Sequence, residues 1–100
     1  MTTVYVTAPP TAAEDIAETL IEERLAACVN RFECRSTYRW EGDIVHDEEV
    51  ALIIKTTAER YGVLKTRIES IHPHDVPCIE RFDESDRLKP FAEWIEDSVQ

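Results

Sequence analysis

The densest run of chemically capable side chains is His72-Pro-His-Asp-Val-Pro-Cys78, which sets two imidazoles, a carboxylate and a thiol within seven residues. Imidazole and thiolate together suit a borderline or soft ion such as zinc or copper. On an extended backbone His72 and His74 point the same way, so His72, His74 and Cys78 are the candidate ligands for copper or another divalent cation. The spacing matches no established zinc pattern, since Cys-x-x-Cys pairs and His-Glu-x-x-His are both absent. The competing reading is a rigid, proline-braced connection whose histidines cap a helix end or touch a neighbouring subunit.

The other chemistry on offer is thinner. Cys28 and Cys34 stand six residues apart on one expected strand, a separation of about 20 Å. A disulfide requires Cα atoms within about 7 Å, so these two can neither pair nor share an ion within one chain. They are expected to be small core thiols. Three cysteines, an odd number, also argue against a disulfide framework. With only Gly42 and Gly62, no glycine-rich loop can cradle a phosphate, and no Gly-x-Ser-x-Gly elbow exists. Acid pairs such as Glu22-Glu23 and Glu48-Glu49 are expected to be solvated, and Tyr38, Trp40, Phe91 and Trp94 to anchor a core or a subunit interface. The expectation is a protein that is not an enzyme.

Composition bounds the rest. The chain has 100 residues, 43% of them hydrophobic, with 21 acidic against 11 basic and a formal charge of −10. That suits one folded domain and argues against disorder. The basic residues are scattered and outnumbered, which excludes a phosphate-backbone partner, so no nucleic acid is expected. No apolar run approaches the ~18 residues of a membrane span. The start, Met-Thr-Thr-Val-Tyr-Val, has neither a basic n-region nor an apolar h-region, so no membrane partner and a cytoplasmic location are expected. Carboxylates occur in every quarter, and lysine only at Lys55, Lys65 and Lys89. Such a surface repels itself unless salt screens it, which suggests a salt-adapted source.

The elements that must position these residues are legible from periodicity. Thr3 to Ala8 reads as a strand bounded by Pro9-Pro10. Thr11 and Glu14 fit a capping box for an amphipathic helix over 12–25. Residues 26–40 look extended, with Cys28, Phe32, Cys34, Tyr38 and Trp40 on one face and Arg31, Glu33, Arg35 and Arg39 on the other. Glu41-Gly42-Asp43 supplies a turn, and Ile44 to Lys55 returns as the second arm of a long hairpin, with Val50 to Ile54 covered on both faces. Thr56 and Glu59 suggest a second capping box for a helix over 57–71, ended by Pro73. Val76 to Phe82 reads as a strand, and Pro90, Phe91, Trp94, Ile95 and Val99 as a closing helix. The order predicts one α+β domain over 1–100: a ferredoxin-like split βαββαβ subunit with an extra C-terminal helix.

Several of these segments carry a resemblance. Arg24-Leu-Ala-Ala-Cys-Val-Asn30, Ser36-Thr-Tyr-Arg-Trp-Glu-Gly42, Ile54-Lys-Thr56, His72-Pro with Val76-Pro77, and Trp94-Ile95 resemble, in order and spacing, the CutA family of divalent-cation-tolerance proteins. The resemblance implies a tight homotrimer in which the long hairpin of each subunit pairs with the next. It also implies binding of divalent cations, copper especially, and a part in metal tolerance. The copper ligands proposed for some members fall here on Val6, Ile71 and Cys78, so that site does not carry over, and His72, His74 and Cys78 form the softer substitute set. The alternative role is a signalling or scaffold trimer that binds a small molecule or anion in clefts between subunits, with Arg31, Arg39 and Lys55 as cationic candidates.

Overall fold

Small and β-branched residues alternate through Thr2–Ala8, and this alternation builds strand β1, with Val4, Val6 and Ala8 buried on one side and Thr3, Tyr5 and Thr7 half-buried on the other. The computed structural model describes all 100 residues. After β1 come α1 (Pro10–Glu22), β2 (Cys28–Trp40), β3 (Asp43–Thr56), α2 (Tyr61–Ile71), β4 (Ile79–Phe82) and α3 (Lys89–Ser98). The sheet order is β2-β3-β1-β4, every neighbouring pair antiparallel. This is the expected α+β ferredoxin-like arrangement: β3 lies between β1 and β2, and β1 lies between β3 and β4.

Both capping boxes are corrected. Helix α1 starts at Pro10, whose missing N–H suits the first helical position, and the Pro9 carbonyl accepts from the Ala12 and Ala13 amides with no side-chain cap. It ends at Glu22, short of residue 25, because Arg24 turns into the left-handed region at φ 56° and the Leu25 and Ala26 amides fold back onto the Leu20 carbonyl. Thr56 is the buried end of β3 and donates its hydroxyl to the Leu25 carbonyl at 2.6 Å, while its neighbour Thr57 accepts from the Arg60 amide ahead of α2. Strand β4 is also shorter than expected, since Pro77 cannot donate to a ladder and pairing begins at Val6–Ile79.

The main core lies between the sheet and the first two helices. Val4, Val6, Leu52 and Ile54 meet Ile16 and Leu20 of α1 and Leu64 and Ile68 of α2. Each such side chain contributes about 1.5–3 kcal/mol by burial. Helix α3 packs against β3 and buries Ala92 and Ile95 outside that cluster.

The hairpin has two unlike halves. Residues 50–55 of β3 pair with both β1 and β2, whereas 43–49 pair only with 34–40 of β2. The outer half is therefore a two-stranded ribbon, closed by a two-residue turn with Glu41 at φ 50° and Gly42 at φ 86°. A two-stranded ribbon alone is marginal in water. This one exposes 54% of Trp40 and 62% of Ile44.

Candidate functional site

Sheet geometry sorts the chemically capable residues onto one face. Even positions of β3 enter the helix-covered core, so odd positions face the other way, and the β2 residues paired with them follow. Cys28, Cys34, Tyr38 and Trp40 of β2, Glu49 of β3, Tyr5 and Thr7 of β1, and Glu80 of β4 all share that second face. Cys28 and Cys34 are consequently half-buried free thiols on an outer surface, not the core thiols expected, because the core side of β2 is its odd side. The Tyr5 hydroxyl is pushed up by burial and further by the neighbouring Cys34, Cys78, Glu49 and Glu80, which shows how close these groups lie.

His72 has a structural task. It caps the C-terminus of α2, is 8% exposed, and its amide donates to the Ile68 carbonyl at 2.8 Å. Its Nε2 lies 2.8 Å from the Thr7 carbonyl, and its Nδ1 lies 3.0 Å from the His74 amide. A carbonyl only accepts and an amide N–H only donates, so both contacts are satisfied by the neutral tautomer with the proton on Nε2. Neither ring nitrogen is free for a metal in this arrangement. His72 thus closes α2 and ties the loop to β1.

His74 and Cys78 remain. The His74 ring is exposed and sits 5.0 Å from the His72 ring, tilted by 58°. Cys78 is half-buried, with its Sγ 3.6 Å from Glu80 Oε1. Burial pushes the Cys78 thiol up, against hydrogen bonding from Thr7 that acts the other way. His72, His74 and Cys78 are thus not brought together as a cage, and no three His, Cys, Asp or Glu side chains of one chain converge to hold an ion. Val6 lies inside the core and Ile71 packs on it, so neither of those positions contributes chemistry. His46 points elsewhere, its Nδ1 3.1 Å from the Thr37 hydroxyl.

What His74 and Cys78 do share is a groove of about 490 Å³. One wall is the loop carrying Pro73, His74, Asp75 and Val76, and the other is the outer hairpin with Tyr38, Trp40 and Glu49. Tyr38 donates its hydroxyl to Asp47, which raises the phenol above its usual range. The alternation along 26–40 put Tyr38 and Trp40 on a common face, yet nothing in the sequence paired that face with the 72–78 loop. That juxtaposition depends on β3 and β1 lying between them.

Comparison with known proteins agrees with this fold. Residues 2–98 match the family model for the CutA1 divalent ion tolerance protein. The divalent-cation tolerance protein CutA of Pyrococcus horikoshii is 44% identical over 96 residues, covering 95% of this chain and 94% of its own. A solved structure described as the periplasmic divalent cation tolerance protein CutA from Archaeoglobus fulgidus superposes with a TM-score of 0.95 at 38% identity, covering 100% of both chains. A PII-like protein CutA from Nostoc, in apo form, superposes at 0.97 with 28% identity, covering 100% of this chain and 98% of that one. Relatives in archaea, bacteria and vertebrates lend no support to the salt-adapted source suggested by the acidity.

Proposed function

Because this chain belongs to the CutA1 divalent ion tolerance family, we propose that it works as a homotrimer that binds divalent cations, copper foremost, in metal homeostasis. The observation that carries the reading is that His74 and Cys78 line one groove as an incomplete ligand set, open towards the unpaired outer hairpin. A second copy along the exposed edge of β2 covers Phe32 and supplies the missing ligands. His72 joins only by giving up its bonds to Thr7 and His74. A binding role fits the Cys78 thiol, which burial pushes up and which is therefore no activated nucleophile. A cytoplasmic location belongs to this proposal, with three free thiols as support, although the Archaeoglobus relative is described as periplasmic.

Calorimetric titration with Cu²⁺ and Zn²⁺ at high salt, which screens adsorption by the acidic surface, tests the ligands. Saturable binding that weakens in His74→Ala and Cys78→Ser is expected, and identical isotherms for all three proteins would overturn the assignment. Coordination must deprotonate Cys78, so affinity should rise with pH and binding should release protons.

A second reading is favoured by the groove itself, whose volume is that of a small-molecule site. On this reading the trimer senses an organic ligand held in clefts at the hairpins, in keeping with the PII-like description of the Nostoc relative.

A further inference from the structure

We propose that the groove between the outer hairpin and the 72–78 loop binds an organic ammonium ion, a bulky cation with an apolar envelope. This rests on the reading of the groove as a small-molecule site and names the ligand class. The lining is aromatic and anionic: Tyr38, Trp40 and Glu49 on the hairpin wall, and Asp75 on the loop wall. No lysine or arginine lines it. The face of an aromatic ring attracts a cation through its quadrupole. Tyr38 is a richer donor than an isolated phenol, because its hydroxyl already donates to Asp47.

The size and dispersion of these groups select between cations. A bare divalent ion needs several oxygens at contact distance, and the carboxylates here do not converge into such a cage. An alkylammonium spreads its charge over a larger body, fits within a groove of about 490 Å³, and finds both aromatic rings and carboxylates in its lining. The chain's charge of −10 raises the local concentration of any cation and disfavours anions. The anionic ligand considered from Arg31, Arg39 and Lys55 is not matched here, since none of these lines the groove.

The probe is choline, paired with 3,3-dimethylbutan-1-ol, its uncharged isostere, titrated calorimetrically into metal-free protein at low ionic strength. Choline should saturate, and the isostere should bind at least about fivefold more weakly, as expected from losing the cation–π and carboxylate terms. Glu49→Gln and Trp40→Leu should each weaken choline by a similar factor, and Glu49→Gln, nearly isosteric, keeps the test valid should Trp40→Leu perturb assembly. Equal binding of both probes would leave the groove a ligand site and overturn its preference for cations. No saturable response to either would overturn both. Copper binding through His74 and Cys78 is read in a separate titration and stands or falls independently.

Discussion

The inner and outer halves of the β2–β3 hairpin are made of one continuous pair of strands, yet they are stabilised differently. The inner half is held from three sides: β1 completes its ladder, and α1 and α2 seal Leu52 and Ile54 to zero exposure. The outer half has one ladder and two wet faces, and it carries Tyr38, Trp40 and Ile44 into solvent. A single copy therefore specifies its core and leaves its ribbon unfinished. The chemistry follows the same division: His74, Cys78, Glu49 and Trp40 all line one groove against the unfinished half.

The contrast can be broken most severely from inside. Leu64→Ala removes a fully buried side chain from the two-helix core and should cost about 2–5 kcal/mol in chemical denaturation. Ile44→Ala, on the ribbon, should cost far less in a dilute single chain, because 62% of that side chain is already wet. Equal losses at the two positions would erase the distinction between the halves.

His72 ties the loop wall to β1, and its truncation is the next effect in size. His72→Ala leaves the Thr7 carbonyl and the His74 amide without partners and should cost about 1–3 kcal/mol. Thermal unfolding measures it. An unchanged midpoint would mean the imidazole latch contributes nothing.

Arg24 offers a stabilising change at the inner end. It holds φ 56° just past α1, a conformation that costs a residue with a Cβ about 1 kcal/mol or more. Arg24→Gly should therefore raise stability by up to about 1 kcal/mol, less the entropy glycine adds to the unfolded chain.

The smallest expected effect is on acid stability. The Arg67 guanidinium grips both oxygens of Glu23 and holds that carboxyl below its ordinary range. Asp83 is lowered by the Thr2 hydroxyl and by Arg81. A carboxylate lowered in the folded state stabilises above its unfolded pKa, and that contribution disappears as pH falls through the folded value. Glu23→Gln should flatten the acid limb of the stability curve and leave its slope above neutrality unchanged. A steeper acid limb in the variant would contradict the assignment.

Much of this fold was legible because periodicity is local. Alternation in 26–40 and the spacing of Leu64 and Ile68 reflect contacts every second or every third and fourth residue. The helix starts were misread because Thr11 and Thr56 have the right chemistry for caps, while Pro10 and the strand pairing of Thr56 claimed those positions. The site was legible in its residue types and not in its arrangement. His72 is occupied by a carbonyl 65 residues away, a partner no spacing rule exposes, and Glu49 and Trp40 reach the 72–78 loop only through the folded sheet.

The central claim is that further copies of the chain cover the hairpin along its exposed β2 edge, and sedimentation equilibrium of the wild type beside Phe32→Glu tests it most directly. The account predicts three chain masses for the wild type, and dissociation in the variant, whose new charge sits at a face that is 54% exposed in one copy and covered in the assembly. A wild type that sediments as a single chain, or a Phe32→Glu variant that remains fully assembled, would contradict it.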